Sequence, residues 1–160
     1  MSHPNLGLPP LDLDAGFPVA AERLRAARPS IGLRAMEAVT KADPAIRDRL
    51  GEIGLRQLLR DTETWIDQIA VCVAANDPTP MRNWAEKITA PYRRRRVSMD
   101  DLTLLAEGLR AAVRSVLGPQ EQAAADAALD STIVVLRWHR RLAGDARKRN
   151  KLLQFIYKGA

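Results

Sequence analysis

The sequence predicts an all-α fold, and three observations predict it. Hydrophobic residues make up 46% of the 160 residues but aromatics only 4%, so the core must be built from Leu, Ile, Val and many Ala, an alphabet suited to closely packed helices. Apolar residues recur at spacings of three and four along several stretches, the period of one helix face. Prolines and glycines fall where helices would begin and end, and no alternating strand pattern occurs.

Residues 1–17 contain Pro4, Gly7, Pro9, Pro10 and Gly16 and predict an irregular N-terminal arm, with Leu6, Leu8, Leu11 and Leu13 available to lie over a bundle. Residues 18–160 then form a single helical domain, since the length suits one core. Pro18 opens a helix to about residue 28, and Pro29-Ser30 opens another to residue 42. Asp43-Pro44 is an N-cap followed by proline, and starts a third segment that Gly51 and Gly54 break or bend.

A long helix over residues 52–75 follows, with Leu55, Leu58, Leu59, Trp65, Ile66, Ile69, Cys72 and Val73 on its apolar side. Asn76-Asp77-Pro78 ends it. Thr79-Pro80 caps the next helix, which carries Met81, Trp84 and Ile88 and should kink or stop at Pro91.

Ser98-Met99-Asp100-Asp101 has the form of a cap with acids in the first turn. The helix it opens places Leu102, Leu105, Leu109, Ala112, Val113 and Val116 on one side and Asp101, Arg110 and Arg114 on the other. After Gly118-Pro119 a helix runs to about residue 143, and its centre, Ile133 to Leu136, is apolar all round and reads as the deepest part of the fold. Gly144-Asp145 then separates a basic helix over residues 146–157. The expectation is seven to eight helices in a globin-like or four-helix-bundle-based domain.

The net charge is +6, and its placement says more than its size. From Arg137 onward eight basic residues face one acid, so the last 24 residues carry +7 and the other 136 carry −1. Two basic segments become interaction candidates. Arg93, Arg94, Arg95 and Arg96 form one; as phosphate ligands they would release counterions, and as helix-end cations they would complement the dipole and stay solvated. Arg147, Lys148, Arg149 and Lys151 form the other, interleaved with Leu152, Leu153, Phe155 and Ile156 as a basic amphipathic helix. That helix suits a partner groove, an anionic surface or nucleic acid, or its apolar side seals the bundle.

Catalytic and metal chemistry find little purchase. His139 stands between Trp138 and Arg140 and reads as a hydrogen-bonded histidine in preference to a haem ligand. Glu63 with Asp67, and Asp126 with Asp130, have helical spacing, but the di-metal bundle pattern also needs a Glu-x-x-His on two helices, which is missing. Cys72, the single cysteine, falls on an apolar stripe and reads as core. There is no Gly-rich phosphate loop, nucleophile elbow or zinc spacing, so neither a cofactor nor an enzymatic role is expected. One cysteine, no secretory leader pattern and no apolar run of roughly 18 residues lead to the expectation of a cytoplasmic protein without a membrane span.

The central stretch also carries a resemblance. It runs Leu58-Leu59-Arg60-Asp61, Trp65-Ile66, Ala74-Ala75-Asn76-Asp77-Pro78 and Trp84. It continues through Tyr92-Arg93-Arg94-Arg95-Arg96-Val97-Ser98, Leu102 and Leu109-Arg110-Ala111-Ala112-Val113. Over residues 54–142 this resembles the helical sensor-type domains at the N-terminus of bacterial regulators. Examples are the non-haem globin-like domains of stressosome co-antagonist proteins and the helical domains preceding some cobalamin-binding regulators. The resemblance implies dimerisation through long helices and a role in signal input or protein contact. It carries over no binding residue. No output domain follows within these 160 residues, so a domain of this kind would act on a separate partner.

Three readings of function follow. The first is a non-enzymatic regulatory or protein-interaction domain, a homodimer burying an apolar face with Trp65 or Trp84, with a pocket between helices as the place for a small sensed ligand. The second is a nucleic-acid-binding protein using Arg93 to Arg96 and the C-terminal basic helix, which requires both on one face. The third is an enzyme or cofactor binder of unrecognised type.

Overall fold

The computed structural model describes residues 16–149, with side chains as far as Ala143, and every regular element within them is a helix. There are six: α1 (Pro18–Ala26), α2 (Arg28–Ala42), α3 (Ile46–Ala75), α4 (Thr79–Arg94), α5 (Met99–Val113) and α6 (Pro119–Arg149). Prolines stand in the first turns of α1, α2 and α4 and at the start of α6, where a missing N–H costs no helical bond. Residues 1–15 and 150–160, with most of the expected arm and Lys151, lie outside the described residues.

Six helices replace the expected seven to eight, for two local reasons. Residues on either side of Gly51 join into one bent element: Gly51 itself is non-helical (φ 66°, ψ 176°), a backbone that glycine adopts without strain, and helix resumes directly after it. Gly144 does not end α6, which runs unbroken to Arg149. One interior glycine costs a helix only about 1 kcal/mol, too little to stop a long one.

The other ends follow their caps. At the end of α3, Asn76 takes the left-handed conformation, Asp77 N–H returns to Cys72 O at 3.0 Å and Asn76 N–H to Val73 O at 3.3 Å. The turn before α4 is held by Asp77, whose carboxylate accepts from Thr79 N–H at 2.9 Å; the Thr79 side chain makes no cap. Pro91 does not stop α4, which continues to Arg94 and closes with Arg95 and Val97 N–H both on Tyr92 O at 3.0 Å. Ser98 forms the expected capping box: its Oγ accepts from Asp101 N–H (3.0 Å), and Asp101 Oδ2 accepts from Ser98 N–H (3.2 Å).

Helix α3 is the centre of the packing and touches each of the other five. Around it α2 packs on α5, α5 on α6, and α6 on α4, while α1 lies along α3. Trp65, Ile66, Ile69, Cys72 and Val73 of α3 are fully buried against Leu24, Ile31, Met81, Leu102, Leu105, Leu109, Leu129 and Leu136. Small residues set the helix spacing. A Cβ on Gly108 would stand 2.7 Å from Ala35 O, so α5 and α2 meet backbone to backbone there. Ala124, Ala125 and Ala128 are buried in the first half of α6, as its alanine content predicts.

Two expectations about burial are overturned. Asp101 is not on the solvent side of α5: it is 3% exposed, because Arg49 of α3 reaches its carboxylate at 2.6 Å and the capping box holds the other oxygen. The centre of α6 is not buried all round. Ile133, Val135 and Leu136 are in the core, but Val134 is 65% exposed, since α3, α4 and α5 cover only part of the helix circumference.

Candidate functional site

Among the described residues, the outer face of α6 holds the most concentrated exposed apolar surface. Val134, Trp138 and Leu142 succeed one another at four-residue steps, so they form one stripe, and Trp138 and Leu142 are 48% and 45% exposed. Isolated exposed leucines are ordinary; an aligned tryptophan, leucine and valine on one helix are not. Arg137 and Arg141 run along the flank of this stripe, offset from it by three residues.

Beside the stripe lies a groove of about 560 Å3 between α5 and α6. Arg137, Arg140, Arg141 and Val134 line it from α6, Asp100 and Thr103 from α5. Arg140 Nε lies 3.1 Å from Asp100 Oδ1 as an ion pair, which closes one side of the groove. Three guanidinium groups against one carboxylate leave it cationic.

The arginine run does not act as one patch, because successive helical residues point about 100° apart. Arg93 turns inward to α6: its Nη2 donates to His139 O (3.2 Å) and lies 3.4 Å from His139 Nδ1, while its Nε is buried without a partner. Arg95 reaches α3, pairs with Asp61 at 2.7 Å and stacks over the Tyr92 ring at 5.0 Å. Arg94 and Arg96 are exposed, with Arg96 in the left-handed conformation (φ 61°) that turns the chain toward α5. Arg95 is exposed as well, so what sets Arg94 and Arg96 apart is that neither has a side-chain partner among the described residues.

His139 has both ring nitrogens engaged. Nε2 stands 2.7 Å from Glu86 Oε2 and Nδ1 faces Arg93, an arrangement that suits Nε2 as donor and Nδ1 as acceptor. This histidine bonds α4 to α6 and places the edge of its ring against Trp138 (centroids 5.0 Å, 85°).

The contacts Pro78–Ser131 and Glu86–His139 occur at one sequence offset, so α4 and α6 run in the same direction. Their C-terminal ends, with Arg93 to Arg96 on one and Arg147, Lys148 and Arg149 on the other, consequently lie at the same end of the molecule. The side chains of those last three and all of Lys151 lie outside the described residues.

Three of the four paired carboxylates hold helices together, while Glu63 is exposed. Asp67 accepts two bonds from Arg28 Nη1 (3.0 and 2.8 Å), and Asp126 and Asp130 share Arg110 (3.2 and 2.5 Å). Among the described residues no three His, Cys, Asp or Glu side chains group closely enough to hold a metal ion. Cys72 is in the core, where burial pushes its thiol up and leaves it protonated. Trp65, expected at a dimer face, is fully buried within the single chain; Trp84 packs edge-on against it with centroids 5.1 Å apart. Among the described residues no helix is long and apolar enough to cross a membrane.

Val134, Trp138, Leu142, Asp100 and Thr103 were absent from the interaction candidates. The available signal was the four-residue step from Val134 through Trp138 to Leu142, alternating with Arg137 and Arg141. No protein-family model matches the chain, and no curated protein matches it.

Proposed function

We propose that the chain is a non-enzymatic regulatory or protein-interaction domain that binds an acidic, amphipathic segment of a partner protein on the outer face of α6. The observation that carries this reading is the exposed Val134, Trp138 and Leu142 stripe beside a groove lined by three arginines. Apolar anchors with a tryptophan supply affinity, and flanking guanidinium groups select carboxylates and orient them. The sensor-type resemblance of residues 54–142 supports the same class of role, signal input through protein contact.

Titration of the full chain with a synthetic acidic amphipathic helical peptide tests it, read by tryptophan fluorescence. The wild-type protein should bind, and Trp138→Ala or the pair Arg137→Glu, Arg141→Glu should weaken binding at least about 10-fold. Equal binding by all three proteins would remove the reading.

A second reading, nucleic-acid binding, is favoured by one observation: the parallel α4 and α6 bring Arg93 to Arg96 and the backbone of Arg147, Lys148 and Arg149 to one end of the described residues. Oligonucleotide binding whose logarithm falls steeply with the logarithm of salt concentration, with no affinity for the peptide, would put this reading first.

A further inference from the structure

Where helices meet in this protein, guanidinium groups are engaged by carboxylates. Arg28 meets Asp67, Arg49 meets Asp43 and Asp101, and Arg110 meets Glu107, Asp126 and Asp130. The groove between α5 and α6 departs from this rule. Among the described residues that line it Asp100 is the one carboxylate, and it is already paired with Arg140. Arg137 and Arg141 line the same groove, are exposed, and have no carboxylate partner among the described residues. They stand four residues apart on α6, about 6 Å along the helix, close enough for both guanidinium groups to meet on one ligand atom group.

We propose that this groove binds a small organic phosphate monoester, held as its dianion between Arg137 and Arg141. Charge sets the class of ligand. Three arginines against Asp100 leave the lining at +2, which one dianion neutralises. A carboxylate brings one charge and two oxygens, and a single guanidinium is enough for both, as Arg28 Nη1 shows on Asp67. A group shared by two guanidiniums needs more charge and a third acceptor oxygen at one centre, which a phosphate monoester has. Thr103 directs its O–H to Met99 O at 2.9 Å, so recognition of the phosphate falls to the arginines. Size sets the rest of the ligand. The groove, at about 560 Å3, lies within the range of about 300–1,000 Å3 typical of small-molecule sites, so the phosphate carries an organic body, with exposed Val134 as its apolar wall. Arg137 and Arg141 are also the groups that would select a partner's acids. A bound phosphate ester therefore competes with the acidic segment, and this regulatory step, unlike phosphate binding itself, rests on the partner reading.

Isothermal titration calorimetry of the full chain tests the proposal, at low salt and about pH 8, above the second phosphate pKa of about 6. Phenyl phosphate should bind at least about 10-fold more tightly than phenyl sulfate, which has the same shape and one charge fewer. Arg137→Gln and Arg141→Gln should each weaken phenyl phosphate at least about 10-fold, with unchanged helical circular dichroism because both side chains are exposed. Asp100→Asn, which removes the competing carboxylate, should tighten it. Arg34→Gln, an exposed arginine of α2, should leave it unchanged. No binding of phenyl phosphate, equal binding of phenyl sulfate, equal loss in Arg34→Gln, or weaker binding in Asp100→Asn would each overturn the site. The acidic peptide is then titrated with and without saturating phenyl phosphate. A raised peptide dissociation constant supports the competition, and an unchanged one overturns it. A chain that binds phenyl phosphate and not the peptide keeps the site and removes the partner reading.

Discussion

Trp65 Nε1 donates a hydrogen bond to Tyr92 Oη at 3.1 Å, and both side chains are in the core. The bond ties the middle of α3 to the last turn of α4, at the point where the arginine run begins. Burial pushes the Tyr92 phenol far above its ordinary value, so the hydroxyl stays protonated and available to Trp65 across the working pH range.

Tyr92→Phe removes the acceptor and leaves the indole N–H of Trp65 unpaired in an apolar core. An expected loss of about 1–3 kcal/mol in urea unfolding follows, with an unchanged denaturant slope. A loss below a few tenths of a kcal/mol would mean the indole finds another acceptor.

Gly108→Ala sets helix propensity against packing. Alanine favours a helix by about 1 kcal/mol over glycine, yet its methyl would press on Ala35 O at 2.7 Å and Val39 Cγ2 at 3.1 Å. Both partners sit on a packed helix, so separation of α2 from α5 should dominate and the variant should be less stable by about 1–2 kcal/mol. A rise in thermal midpoint would show that the two helices yield freely.

Asp101 serves two elements with one carboxylate, capping α5 through Ser98 N–H and receiving Arg49 of α3. Asp101→Ala should therefore cost more than Ser98→Ala, about 2–3 against about 1 kcal/mol. The double variant should fall short of the sum, because both substitutions dismantle one cap. Full additivity in equilibrium unfolding would contradict the shared cap.

Asp43 lies 2.6 Å from the same Arg49, and that hydrogen bond holds its carboxyl below the usual value of 3.8. A lowered carboxyl stabilises the fold above its unfolded value and loses that stabilisation as pH falls through the folded value. The stability difference between wild type and Asp43→Asn should accordingly be present at about pH 7 and shrink as pH falls below the usual carboxylate value. A difference that stays constant with pH would dissociate Asp43 from Arg49.

Much of the fold was legible because its signals are local. Ser98 with Asp101 three residues later specifies a helix start, and Pro18, Pro29, Pro80 and Pro119 mark others. Gly51 bends α3 as its backbone freedom suggests. Gly144 misled, since glycine weakens a helix without ending it when the remaining residues favour helix. The candidate site was legible only in part. Arg93 and Arg95 were read with their neighbours as one cationic run, but His139 and Asp61, each more than thirty residues away, draw them onto other helices.

The sequence by itself determined that the chain is helical, where most helices start, and that positive charge gathers toward the C-terminus, because these properties depend on contacts within about one helical turn and on composition. Tertiary structure decided which side of each helix faces water. Val134 and Asp101 exchanged their expected places: an apolar residue is exposed where no helix covers α6, and a carboxylate is buried where Arg49 arrives to neutralise it. Periodicity describes one helix at a time, whereas burial depends on how many neighbours surround it and what charges they bring.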